Sequence, residues 1–179
     1  MSENTGIYGV VGEFTDPREL VHAARAARDR GYTKLDAFSP FPVHGLDKAL
    51  GIARSKLGLI VAAAGVTGGA GALALQWWTS VKAYPLHVGG KPLFAWEPSI
   101  PIIFELSVLL AAFGAVLGMI ALNGLPRFYH PAFNWERFKR VSDDRFFLAI
   151  EASDPMFDAP RAADFLRSTG AVAAEVVES

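Results

Sequence analysis

Four side chains near the apolar centre of the sequence could do chemistry: His44, Asp47, Glu105 and His130. Glu105 is the one ionisable residue within a long apolar segment, and such a carboxylate is a candidate for handling protons or ligands. It could instead reach the membrane surface or hydrogen-bond to a partner. His44 and His130 flank the apolar centre, could meet in space and could titrate near neutral pH. We predict proton transfer or partner contact for these four residues, and a purely structural role is the simpler interpretation of both histidines.

Other catalytic and metal-binding patterns are missing from the sequence. It has no cysteine, which excludes disulfides, thiolate metal sites and cysteine nucleophiles. Its histidines have no metal-ligand spacing, and neither a Ser/His/Asp arrangement nor paired carboxylates are visible. The net charge of -1 gives no reason to expect nucleic acid as a partner. We therefore expect no catalytic site, metal site or bound cofactor.

Glycines in the apolar centre have the spacing of close helix packing. Gly65 and Gly69 form one pair of small residues at i and i+4, and Gly114 and Gly118 form a second. The stretch Gly65–Gly71 also resembles a phosphate-binding loop, but no strand precedes it and it carries no lysine. We predict packing faces, and the pattern leaves open whether they meet each other or the helices of a partner.

Two apolar segments carry these glycines. A bilayer core of about 30 Å needs about 20 apolar residues in a helix, and both segments are that long. We predict a transmembrane hairpin over residues 46–126, with spans at about 57–80 and 100–123 and a periplasmic loop at 82–98. Asp47 is predicted to cap a helix that runs directly into the first span.

The distribution of basic residues predicts the orientation of the hairpin. The loop between the spans carries only Lys82 and Lys91. The seven basic residues on the other side are Lys48, Arg54, Lys56, Arg127, Arg137, Lys139 and Arg140. By the positive-inside rule, we predict a multi-pass membrane protein with both termini on the cytoplasmic side. The N-terminus lacks the pattern of a signal peptide, so the first flank is expected to fold in the cytoplasm.

The two flanks of the hairpin share one pattern of strand, helix and strand. In the first, strands at 7–14 and 32–38 enclose a helix that opens at Asp16-Pro17. In the second, strands at 145–152 and 171–177 enclose a helix that opens at Asp158. We predict an α+β membrane protein in which the halves 1–45 and 127–179 form one ferredoxin-like βαβ–βαβ domain, interrupted by the hairpin. Two separate small flanks are the alternative.

The chain resembles a known family in three stretches, SPFPVHGLDKALGIARSKLG, YHPAFNW and DDRFFLAIEASD. It is similar to the ActD-type membrane subunit of bacterial alternative complex III, a quinol:electron acceptor oxidoreductase. The resemblance covers nearly the whole chain, and the Pro-Phe-Pro-Val-His-Gly segment is its most specific part.

The resemblance implies a non-catalytic subunit of a respiratory or photosynthetic quinol-oxidising complex. It implies that haem c and iron–sulfur clusters belong to partner subunits. It implies further that the spans lie beside multi-helix quinol-interacting subunits in the lipid bilayer of the bacterial inner membrane. It also implies a role in assembly, a cytoplasmic proton path as a further hypothesis, and a terminal oxidase as a possible supercomplex partner. The alternatives are a membrane-tethered ferredoxin-like ligand sensor and, less favoured, a membrane enzyme.

Overall fold

The computed structural model describes residues 6–179, which form two compact units. One unit comprises the described residues up to Ala53 together with Tyr129–Ser179, and the other comprises Arg54–Phe128. We call them the sheet unit and the hairpin unit.

The sheet unit contains a four-stranded sheet with the order β2-β3-β1-β4, in which every pair of neighbours is antiparallel. In chain order its strands and helices are β1 (Ile7–Phe14), α1 (Pro17–Asp29), β2 (Leu35–Phe38), α2 (Leu46–Leu50), β3 (Phe146–Glu151), α5 (Ala159–Ser168) and β4 (Ala173–Glu178). The predicted combination of an antiparallel α+β sheet with two long apolar helices is confirmed.

Helices α1 and α5 begin at the residues that the sequence predicts. The Asp16 carboxylate accepts a hydrogen bond from the Arg18 N–H at 2.6 Å, and Asp158 accepts one from the Arg161 N–H at 3.0 Å. Both carboxylates satisfy donors that a helix N-terminus leaves unpaired. The two helices pack against one face of the sheet around a core that includes Val10.

The opposite face of the sheet is covered by residues 131–142, which the sequence analysis did not assign. They form two 3-10 segments, Pro131–Asn134 and Glu136–Ser142. Ala132, Trp135 and Phe138 are buried there, and they pack with Val11 and Phe147 of the sheet. Trp135 joins the two segments with an extended backbone, and the three side chains lie on the side that faces the sheet. Both faces of the sheet are therefore covered.

The prediction that Asp47 caps a helix running directly into the first span is wrong. Helix α2 starts after Gly45, and Asp47 lies in its first turn without capping it. The helix ends at Gly51, whose φ of +68° is a left-handed conformation that favours glycine. The Ile52 N–H then bonds to the Asp47 carbonyl at 2.9 Å and closes the turn.

Strand β2 is shorter than predicted because a side chain takes the hydrogen-bond donors that precede it. Asp154 accepts hydrogen bonds from the backbone N–H groups of Thr33 and Lys34, at 2.6 and 2.8 Å. The strand therefore begins only at Leu35.

The hairpin unit consists of two long helices. Helix α3 (Leu57–Trp77) continues into a π-helical turn, Trp78–Ala83. Helix α4 (Ile100–Leu122) follows a 3-10 turn, Glu97–Ser99, and has Pro101 in its first turn. Both helices are long and apolar enough to cross a membrane.

Candidate functional site

Glycines of α3 face α4 at short range. A Cβ atom built on Gly65 would lie 3.6 Å from the Cβ of Ala111, which is ordinary van der Waals contact. A Cβ built on Gly69 would lie 2.6 Å from the Ser107 Oγ, closer than real Cβ contacts allow. At Gly69, therefore, α4 occupies the space that a larger side chain would need.

Glycines of α4 face α3 in the same way. A Cβ on Gly114 would lie 2.8 Å from the Cβ of Ala64, and one on Gly118 would lie 3.0 Å from the Leu57 Cδ1. The glycine pairs of the two helices thus lie on one contact between α3 and α4. Small residues allow two helix backbones to approach closely, which is how helices associate in a membrane.

The tightest approach involves a glycine that the sequence analysis missed. A Cβ on Gly68 would overlap the carbonyl oxygen of Leu106 and lie 3.1 Å from the Ser107 Cα. Gly68 and Ala72 are both buried, one helical turn apart. The sequence did contain a sign of this contact: Gly68 and Ala72 are small residues at positions i and i+4, next to the pair formed by Gly65 and Gly69.

A polar contact joins the two helices near the loop that connects them. The Ser99 hydroxyl donates a hydrogen bond to the Gln76 Oε1 at 3.1 Å. Ser99 is buried, with an exposed fraction of 3%. A hydrogen bond between helices adds specificity to the packing of small residues.

Glu105 lies on the side of α4 that faces away from this contact. Its side chain is exposed, and within residues 6–179 it makes neither a hydrogen bond nor an ion pair. Leu106 and Ser107, its neighbours in sequence, face α3. The hairpin unit thus leaves this carboxylate on its outer surface.

His130 lies in the sheet unit, against the face that residues 131–142 cover. Its Nδ1 accepts a hydrogen bond from the Ala132 N–H at 3.3 Å. Its ring makes edge contacts with Tyr8 and Phe38, at centroid distances of 5.2 and 5.5 Å. Because Nδ1 accepts a hydrogen bond, the neutral ring carries its proton on Nε2.

Titratable groups that the sequence analysis missed surround His130. Burial raises the pKa of the Asp36 carboxyl, the Glu151 carboxylate raises it further, and the Ala37 N–H and His130 lower it in part. Burial also raises the pKa of the Tyr8 phenol, and the Asp36 and Glu151 charges add to the effect. These residues are distant in sequence, and only the pairing of β1 and β2 with β3 brings them together. We call Tyr8, Asp36, His130 and Glu151 the His130 cluster.

His44 and Asp47 lie elsewhere on the sheet unit. Both are exposed and line one shallow surface depression with Pro42 and Lys48. Their segment lies beside α1, on the helix-covered face of the sheet, whereas His130 lies against the opposite face. The expectation that His44 and His130 meet in space is therefore wrong.

A buried carboxylate fixes residues 131–142 to the sheet. Glu13 of β1 has no exposed surface, and its Oε2 accepts a hydrogen bond from the Arg137 Nε at 2.5 Å. The Arg145 Nε lies 3.4 Å from the Glu13 Oε1. Arg137 is half exposed, so water still reaches its charge, while the Glu13 carboxylate depends on the two arginines for compensation.

We expect removal of the arginines to destabilise the sheet unit more than removal of the carboxylate. The double variant Arg137→Ala/Arg145→Ala leaves a buried charge without a partner, at a cost of about 3 kcal/mol of unfolding free energy. Glu13→Gln leaves Arg137, which water can solvate, and Arg145, whose Nε still lies 3.7 Å from the Asp144 carboxylate, at a cost of about 1 kcal/mol. Pulse proteolysis in urea on the full chain in detergent measures both losses, and equal losses would contradict the asymmetry.

The two units together define a class of protein. The chain is a small α/β protein with a four-stranded antiparallel sheet and two helices long and apolar enough to span a membrane. Over residues 6–179, no group of three or more His, Cys, Asp or Glu side chains is placed to hold a metal ion.

Comparison with known proteins gives the family. The family model for the ActD subunit of alternative complex III matches residues 8–176, and the chain belongs to this family. It is thus a subunit of alternative complex III, an accessory subunit of an oxidoreductase complex. No curated protein matches the sequence.

Proposed function

We propose that this chain is a non-catalytic membrane subunit that supports the assembly of alternative complex III and, through it, quinol oxidation. The observation that carries the proposal is the family match over residues 8–176. Because the sequence has no cysteine, it offers no thiolates for an iron–sulfur cluster and no thioether attachment for haem c. This supports the proposal that partner subunits, and not this chain, bind the redox cofactors.

In the proposed arrangement, residues 1–45 and 127–179 form a ferredoxin-like domain on the cytoplasmic side, and residues 46–126 form the membrane hairpin. The strand order and the antiparallel neighbours of the sheet support the ferredoxin-like assignment. The excess of basic residues on the flanks supports cytoplasmic termini and a periplasmic loop at 82–98. The spans lie beside multi-helix quinol-interacting subunits, and the glycines between α3 and α4 let the two helices of the hairpin pack closely.

Single cysteines test the orientation, because the natural chain has none. We expect a membrane-impermeant maleimide to label His87→Cys in the loop of intact cells and to label Asp143→Cys only after lysis. Labelling of Asp143→Cys in intact cells, or failure to label His87→Cys, would contradict the orientation.

Deletion of the chain tests the role in assembly. We expect membranes without it to lose the assembled complex and its quinol oxidation, and a plasmid copy to restore both. The purified chain alone should oxidise no quinol. A complex that assembles and turns over normally in the deletion strain would refute the proposal.

A cytoplasmic proton path is the second candidate function, and the His130 cluster favours it. The raised pKa of Asp36 brings that carboxyl nearer to neutral pH, beside an imidazole that can exchange protons. His44 and Asp47 are surface candidates for the same path. We expect Asp36→Asn to shift the pH profile of turnover in the assembled complex, with Asp143→Asn as the matched control. An unchanged profile removes the candidate.

A further inference from the structure

The outer surface of α4 carries a carboxylate among apolar side chains. Phe104, Val108 and Leu109 are exposed around Glu105, with exposed fractions of 70, 51 and 46%. We call these four residues the Glu105 face. Because α3 packs against the other side of α4, at Leu106 and Ser107, the hairpin itself does not cover the Glu105 face.

Glu105 lies within the apolar part of the helix rather than at its end. The apolar helix runs from Glu97 to Leu122 over 26 residues, which is about 39 Å at about 1.5 Å per residue. It is longer than the bilayer core of about 30 Å. Glu105 is eight residues past Glu97, about 12 Å along the helix. If the helix is centred in the membrane, the carboxylate enters the hydrocarbon region.

Lipid chains offer this carboxylate no hydrogen-bond donor and no opposite charge. Ionisable residues in membrane spans therefore face the interior of a helix bundle, a water-filled cavity or an oppositely charged group. Within the part of the chain that the structure describes, Glu105 has no hydrogen-bonding or charged partner. A complementary group from outside the chain would therefore stabilise this carboxylate on its otherwise apolar surface.

We propose that the Glu105 face contacts a membrane-spanning helix of a partner subunit that places a basic side chain against Glu105. The apolar residues around the carboxylate pack against that helix, and the ion pair fixes its register. This inference rests on the proposed function, since it specifies where the complex holds the hairpin.

Variants of Glu105 give opposite results for a helix and for lipid. If lipid covers the face, Glu105→Leu removes a charge from hydrocarbon and leaves the complex intact. If a basic side chain faces Glu105, the same variant leaves that buried cation without a partner. We then expect the amount of complex that the tagged chain retains to fall about tenfold. Glu105→Gln keeps an acceptor without the charge and should give an intermediate loss.

The readout is the amount of haem-containing partner subunit that the tagged full chain retains after mild detergent extraction of membranes. Glu97→Leu is the matched control, because it removes an exposed carboxylate at the end of the same helix, and it should retain the wild-type amount. Wild-type retention by Glu105→Leu overturns the contact, and wild-type retention by Glu105→Gln overturns its ionic character.

A photo-crosslinking residue at Val108 tests the contact without touching the carboxylate. We expect it to join the chain to an identified membrane subunit of the purified complex, and crosslinks to lipid alone would overturn the inference. If the wild-type chain retains no haem-containing partner at all, that result contradicts the proposed function rather than the Glu105 contact alone.

Discussion

Replacing Gly68 with leucine is expected to separate α3 from α4. A Cβ at this position overlaps the Leu106 carbonyl oxygen, and this backbone atom cannot move as a flexible side chain would. Overpacking of a close contact typically costs about 1–3 kcal/mol, and a cost of about 1.4 kcal/mol changes an equilibrium about tenfold. We therefore expect Gly68→Leu to reduce the equilibrium constant for closing the hairpin about tenfold or more.

A disulfide reports the closed hairpin directly. The Cβ positions of Gly65 and Ala111 are 3.6 Å apart, within the range that a disulfide spans. In the full chain, Gly65→Cys/Ala111→Cys should oxidise readily, and adding Gly68→Leu should slow its oxidation because the two helices are closed for a smaller share of the time.

The matched control for this result is Gly71→Leu, on the same helix. Apart from Gly71's chain neighbours and the backbone of its own helix, no atom lies within 4 Å of a Cβ built on this residue. The control should therefore leave the oxidation rate unchanged. Equal rates for the Gly68 and Gly71 variants would show that the glycine contact does not hold the helices together.

Replacing Asp154 with alanine is expected to cost the sheet unit about 3 kcal/mol of unfolding free energy. The carboxylate is buried and accepts four hydrogen bonds, from the Thr33 N–H and hydroxyl, the Lys34 N–H and the Met156 N–H. Alanine leaves these donors without an acceptor in a place that water reaches poorly. Asp154→Asn keeps one acceptor oxygen and should lose less.

The effect of Asp154 should depend on pH. Burial alone would raise the pKa of this carboxyl, but the hydrogen bonds from Lys34, Thr33 and Met156 outweigh it and lower the pKa. Because the pKa of Asp154 is lower in the folded chain than in the unfolded chain, the ionised carboxylate stabilises the fold at every pH above the unfolded-state pKa of about 3.9. This stabilisation is lost as the pH falls through the folded-state pKa.

Urea unfolding of the full chain in detergent, followed by pulse proteolysis, measures these differences. The gap in stability between wild type and Asp154→Asn should be constant near pH 7 and should shrink in strong acid. Asp143→Ala, which removes an exposed carboxylate, should change stability by less than about 0.5 kcal/mol. A loss of that size for Asp154→Ala would contradict the role of the carboxylate.

The features that could be predicted from the sequence are those with local causes. Asp16 and Asp158 mark helix starts because an N-cap needs only the next few residues. Strand β1 agrees with its predicted bounds, and α3 and α4 follow from the length of their apolar runs.

The features that were missed depend on contacts between distant residues. Asp154 shortens β2 from more than a hundred positions away, and the covering of the second sheet face by residues 131–142 depends on the sheet being formed. The His130 cluster likewise exists only because β3 lies between β1 and β2. The role of Gly68 was missed because a sequence pattern does not show that two adjacent glycines, Gly68 and Gly69, both face the neighbouring helix.

Mass spectrometry of the intact assembly tests the central claim most directly. A tagged copy of this chain is extracted from native membranes in mild detergent and weighed with everything that it retains. We predict one assembly that contains the haem c and iron–sulfur subunits of alternative complex III together with this chain. Migration of the chain alone or as a homo-oligomer, as a membrane-tethered sensor would behave, would contradict the account.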